Sequence, residues 1–160
     1  VAALEKNFLS KRDAEFNYIF LEDAKLSGCQ GKLTCIKFGE HECPFESEVS
    51  PILNAMNNAD VVIFASPVHC FNVSTLMKNF IDLHSRALDY KVAGIISEAG
   101  SPMSYLASED LMKILSFECH TITVQPTAFS TRKSFEEGKL IDQKVKQKLN
   151  DMIEALMKQL

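Results

Sequence analysis

Short, solid runs of apolar residues alternate along this chain with longer stretches in which apolar side chains recur every three or four positions. The first pattern predicts strands and the second predicts helices. Over 1–11, Val1, Leu4 and Phe8 share one helical face. EFNYIFLED, 15–23, is rich in Phe, Tyr and Ile and predicts a strand. Residues 24–46 hold Gly28, Gly31, Gly39, Pro44 and three cysteines, a composition that predicts a long loop. Ser47 then suits an N-cap, with Pro51 in the first turn of a helix reaching about Asn58.

ADVVIFASP, 59–67, is a continuous apolar run with a polar exit, the pattern of a strand buried on both faces of a parallel sheet. Ser74 is placed to cap the next helix, to about Leu88, with Leu76, Phe80 and Leu83 or Leu88 inward. VAGIIS, 92–97, is a second fully apolar strand, followed by a helix over about 103–117. HTITVQ, 120–125, alternates polar and apolar residues and predicts a strand at a sheet edge. From about 141 to 159, Ile141, Val145, Leu149, Met152, Ile153, Leu156 and Leu160 form one apolar stripe of a final helix. No repeat, low-complexity tract or linker interrupts the alternation, so 1–160 is expected to be a single domain. Its class is α/β, a doubly wound parallel sheet with helices on both faces.

Composition removes several functions. The longest apolar stretch, Val61 to Ala65, is far shorter than the ~20 residues of a membrane-spanning helix. A net charge of −4 with no basic block gives no support to a nucleic-acid partner. Five cysteines, an odd number at uneven spacing, argue against a secreted disulfide scaffold and for a reducing compartment, the cytoplasm.

The most informative segment is ADVVIFASPVHCFNVSTLMKNFIDLHSR, 59–86. It resembles the NADPH-dependent FMN reductase branch of the flavodoxin-like proteins. That family has an apolar strand ending in Ser/Thr-Pro-Val-Tyr, then a short loop, Val-Ser and Leu-x-Lys-x-Phe-Ile-Asp-Arg. Ser66, Pro67, Val68, Val73, Ser74, Lys78, Phe80, Ile81 and Asp82 match as they stand. His69 replaces the usual Tyr, and Leu83 the usual Arg. Cys29, Gly31, Cys35, Gly39-Glu40 and Cys43-Pro44 follow a cysteine-containing pattern of many relatives, and FEEGKLID, 135–142, looks like the run into the last helix.

The resemblance implies a flavodoxin-like sheet of order 2-1-3-4-5, in which the first strand is central. A helix at residue 1 is expected to follow such a strand, so a strand and loop of roughly 15–25 residues are expected before Val1. Without them the predicted strands near 16–22 and 60–66 would stand roughly 10 Å apart. The family's phosphate loop, between that strand and the first helix, lies outside the sequence. The resemblance also implies FMN as cofactor, NAD(P)H as co-substrate, and a homodimer or homotetramer. Electrons would pass to a small acceptor: a quinone, an azo or nitro compound, or free flavin. Two other readings stay open, a flavodoxin-like electron carrier and a domain that has lost flavin and serves as an interaction module.

Ligands of doubly wound sheets sit beyond the carboxyl ends of the strands. Two predicted loops leave such ends, 66–73 and 98–102. The candidate FMN-binding residues are therefore Ser66, Pro67, Val68, His69, Cys70, Phe71, Asn72, Glu98, Ala99 and Gly100. Pro67, Val68 and Phe71 offer flat apolar walls, the peptide groups of 68–72 and 99–101 offer polar partners, and Gly100 lets backbone approach a ring. Flavin carries the redox chemistry itself, so no catalytic side chain is expected. His69 is a ring contact or a plain loop histidine. Cys70 is expected to be a buried structural thiol. Cys29, Cys35 and Cys43 are expected to be free thiols, because Lys32 stands where a middle cysteine would be and the spacing with His41 fits no zinc module. Lys78 and Asp82 are expected to pair on a helix surface.

Overall fold

A computed structural model describes residues 1–84 and 88–160. The centre is a parallel pair formed by the two most apolar runs, β1 (Val61–His69) and β3 (Val92–Ala99), in register from Val61 opposite Val92 to Pro67 opposite Glu98. β2 (Asn72–Val73) folds back antiparallel on the end of β1. β4 (Ile122–Thr123) and β5 (Ala128–Thr131) both pair parallel with β3, β4 at Val92–Ala93 and β5 at Ile96–Ala99. A cis Gln125–Pro126 peptide lies between them. The edge strand expected over 120–125 is thus longer than the observed β4, and β5 was not foreseen. Proline has no N–H for a ladder, and Pro126 sits where the strand is interrupted.

Helices cover both faces. On one, α4 (Glu46–Asn58), α5 (Thr75–His84) and α6 (Leu106–Lys113) contribute Ile52, Met56, Met77, Phe80, Ile81 and Leu111 to a core closed by Phe64, Ala93 and Ile95. On the other, α1 (Ala2–Leu9) supplies Leu4 and Phe8, and α7 (Gln143–Met157) supplies Val145, Leu149, Met152, Ile153 and Leu156. Asp142 starts α7 as its N-cap, its carboxylate accepting the N–H groups of Lys144 (2.9 Å) and Val145 (3.3 Å). Close packing fixes one glycine: a Cβ at Gly94 would stand 2.9 Å from Ile63 Cδ1 and 3.1 Å from Met152 Sδ. The expected flavodoxin-like architecture of parallel sheet and two helical layers is therefore the observed one.

Several local expectations are corrected. Residues 15–20 take no regular structure and join no ladder, and 21–24 form a short helix, α2 (Leu21–Ala24). A strand needs a neighbour for its N–H and C=O groups, and among the described residues none lies beside this one. Phe16 packs edge-on against Phe8 at 5.8 Å, whereas Tyr18, Ile19 and Phe20 remain exposed. The loop over 24–46 holds α3 (Thr34–Phe38) and a 3-10 turn, Glu40–Glu42. α4 begins earlier than expected, with Phe45 at the cap position, so Ser47 lies inside the helix and Pro51 beyond its first turn. Val1, Leu76, Ile141 and Leu160 are exposed at the ends or flanks of their stripes, and Met77 and Ile81 fill the α5 core positions beside Phe80. The expected continuation of α5 to Leu88 crosses 85–87, outside the described residues.

Candidate functional site

The β1–β3 register decides which loops meet. With Pro67 opposite Glu98, the segments 66–73 and 98–101 emerge side by side at the carboxyl end of the sheet. The first is fastened from below by hydroxyls. Ser66 is buried; its Oγ donates to the Pro67 carbonyl (2.9 Å) and accepts the Ser74 N–H (3.1 Å). Ser74 in turn accepts the Met77 N–H through Oγ (3.2 Å), which caps α5 as its sequence position predicted. One buried pair of serines therefore ties strand end, loop and helix start together.

Above this tie, the chain reverses through Cys70 and Phe71, with φ of 50° and 64°. Two consecutive left-handed residues make the tight hairpin turn that usually falls to Asn and Gly. For Cys and Phe the conformation costs on the order of 1–3 kcal/mol per residue, the kind of strain that concentrates at functional sites. The turn presents Phe71 to solvent at 59% exposure, with Pro67, His69, Cys70 and Asn72 also exposed and Val68 half-buried. Cys70 is thus not the buried thiol expected; the buried cysteine is Cys119, whose thiol burial pushes up to about 11. The Asn72 side chain accepts its neighbour's Val73 N–H (2.8 Å).

The second loop follows the same plan. Ser97 lies buried against the Ser108 hydroxyl of α6, and Ala99 is buried, while Glu98 and Gly100 face solvent. Ser101 Oγ accepts the Met103 N–H (3.3 Å) and starts a 3-10 turn. A Cβ at Gly100 would meet nothing within 4 Å, so the space above it is open. Among the described residues, the main-chain N–H groups of Cys70, Phe71, Gly100 and Ser101 make no intramolecular hydrogen bond. The apolar side chains of Pro67, Val68 and Phe71, four free peptide donors and an open glycine are a chemical fit to a planar heteroaromatic ring with a polar edge.

The remaining candidates fall elsewhere. Lys78 and Asp82 pair one turn apart on the exposed face of α5. Cys29 is exposed, with its N–H on Asn79 Oδ1 (3.3 Å), and Cys35 and Cys43 are half-buried. Among the described residues, no three His, Cys, Asp or Glu side chains gather as metal ligands. Sequence reasoning missed a third loop at this sheet end. β5 finishes at Thr131 opposite Ala99, so Thr131–Ser134 stands beside the Gly100 loop, with Arg132 and Lys133 exposed. The signal was hidden because β5 follows a proline and reads as loop.

The family model for NADPH-dependent FMN reductases matches residues 1–136. An NAD(P)H-dependent FAD/FMN reductase of Geobacillus thermodenitrificans is 19% identical over 139 residues, 86% of this chain and 71% of that protein. An iron-sulfur flavoprotein of Methanocaldococcus jannaschii is 34% identical over 76 residues, 48% of this chain and 38% of that protein. Among solved structures, the apo form of the NADH:FMN oxidoreductase EMOB superposes with a TM-score of 0.74 at 20% identity, covering 99% of this chain and 79% of that one. At that identity the superposition speaks for the shared fold. The family match, spanning most of the sequence and both loops at the sheet end, shows that the chain belongs to the NADPH-dependent FMN reductase family.

Proposed function

We propose that this chain passes electrons from NAD(P)H through FMN, held between the 66–73 and 98–101 loops, to a small organic acceptor. The observation that carries this reading is the pairing of an exposed, strained Cys70–Phe71 turn with the open Gly100 loop at one sheet end. When bound there, FMN would supply the hydride-accepting and electron-returning chemistry. The chain's residues supply position. Pro67, Val68 and Phe71 would form an apolar wall for the ring. The peptide N–H groups of Cys70, Phe71, Gly100 and Ser101 would donate to its polar edge. The Ser66–Ser74 tie holds the first loop in place before any ligand arrives, which lowers the ordering cost of binding. His69, exposed beside the same turn and with no side-chain hydrogen bond among the described residues, is available through its ring to the outer ring face or to the acceptor.

A quinone, an azo or nitro compound, or free flavin suits such a site. Each is planar and accepts two electrons and protons, which solvent can supply at an open rim. No helix among the described residues is long and apolar enough to cross a membrane, and we place the reaction in the cytoplasm with a homodimer or homotetramer as the working assembly.

The test is turnover: FMN-loaded protein mixed with NADPH and a quinone, followed at the nicotinamide absorbance. Oxidation of NADPH that depends on both FMN and the quinone supports the reductase reading. FMN retention without any NAD(P)H oxidation would instead assign an electron carrier.

A further inference from the structure

Three loops form the carboxyl rim of the described sheet: 66–73 after β1, 98–102 after β3, and 131–134 after β5. The first two contain no Lys or Arg. Both rim cations, Arg132 and Lys133, stand on the third loop, and the protein as a whole is acidic at −4. Their loop is built rather than loose. Thr131 and Ser134 form a reciprocal capping box, with the Thr131 N–H donated to Ser134 Oγ (3.2 Å). Ser134 is buried and its hydroxyl reaches Asp142 Oδ2 at 3.3 Å, so the same carboxylate that caps α7 also anchors this turn. Among the described residues neither Arg132 nor Lys133 takes part in an ion pair or a side-chain hydrogen bond, although Glu98 lies on the adjacent strand and Glu136 on the next hairpin. The third loop begins one strand spacing, about 4.8 Å, from the Gly100 loop.

We propose that Arg132 and Lys133 bind the phosphate groups of the dinucleotide donor. This rests on the reading of the rim as a flavin site and adds the residues that recognise the co-substrate. A nicotinamide stacked on a ring held by the first two loops leaves its adenosine half, with its pyrophosphate and 2′-phosphate, to lie along the rim. Those charges need cations, and an Arg–Lys pair on a rigid turn suits phosphate oxygens.

The test compares the wild-type protein with the Arg132→Ala, Lys133→Ala double variant by two independent readouts. The first is calorimetric binding of 2′,5′-ADP, which needs neither flavin nor turnover. The second is the KM of the FMN-loaded protein for NADPH and for NMNH, the mononucleotide lacking the adenosine half. The proposal predicts that 2′,5′-ADP affinity falls, and KM for NADPH rises, on the order of 10-fold or more. The KM for NMNH, the FMN affinity and the melting temperature stay unchanged. A wild-type protein that binds 2′,5′-ADP through these residues yet oxidises no NADPH would support this site while sinking the reductase reading. Equal effects on NADPH and NMNH, no binding of 2′,5′-ADP to the wild type, or a loss of FMN affinity not shared by lumiflavin would overturn it. The last outcome would mean that the cations hold the flavin's own phosphate.

Discussion

At the scale of single residues, the proposed site sets exposed apolar side chains, Pro67 and Phe71, beside backbone that stays accessible. Gly100 is the clearest instance, because its φ is not left-handed and the space above it is open. Gly100→Val is therefore expected to fold with a stability within about 1 kcal/mol of wild type, while FMN affinity drops on the order of 10-fold or more as the side chain fills the ring's position. Fluorescence titration and thermal melting separate the two effects. Ser66→Ala should act differently. It removes a buried acceptor of the Ser74 N–H and should cost about 1–3 kcal/mol in chemical denaturation, with weaker flavin binding as a consequence of a looser loop. Thiol chemistry gives a further check. Cys70 and Cys29 are exposed and Cys119 is fully buried, so a thiol reagent should label the first two in the native protein and Cys119 only on unfolding. Burial raises the Cys119 pKa from 9.0 to about 11. The unfolded thiol then ionises first, so the stability this group contributes is intact below pH 9 and is lost as pH rises toward 11. Denaturation midpoints measured across that window should fall by about 2 to 3 kcal/mol equivalent, and a Cys119→Ala variant should lack that part of the fall.

At the scale of elements, legibility followed burial. β1, β3 and α7 could be placed from sequence because a strand between two helical layers must be apolar throughout and a helix on a sheet must carry a stripe. The two core clusters bear that out with Phe64, Ile95, Met152 and Leu156. Elements whose identity depends on a partner were not legible. Residues 15–23 have strand composition, yet a strand exists only in a ladder, and among the described residues no ladder reaches them. β5 is four residues long and paired to β3 after a proline, so nothing in its own composition announced it. The two site loops were legible from the Ser66–Pro67–Val68 and Glu98–Ala99–Gly100 exits. The left-handed turn at Cys70–Phe71 was not, since neither residue favours it. α7 offers the plainest stability test at this scale. Leu156 is fully buried against the sheet, and Leu156→Ala should cost about 2–5 kcal/mol. Asp142→Ala should cost about 1 kcal/mol through the lost cap and somewhat more through the released Ser134 turn, as read by urea denaturation.

At the scale of the whole molecule, three strand exits converge on one rim and lead on to α5, α6 and α7, while the opposite end of the sheet receives the chain from the helices. This is where a doubly wound sheet binds its ligand. In the proposed site the rim would divide the work: the β1 exit would supply an apolar wall, the β3 exit open backbone, and the β5 exit positive charge. The central claim is that the first two together hold a flavin ring. The most direct measurement is a titration of the purified chain with FMN and with lumiflavin, which lacks the phosphate, followed by flavin fluorescence, for wild type and Gly100→Val side by side. Saturable binding of both flavins to the wild type is expected, with a loss on the order of 10-fold or more for both in the variant. Flavin binding that is indifferent to Gly100→Val, or a folded wild-type chain that binds neither flavin, would contradict it.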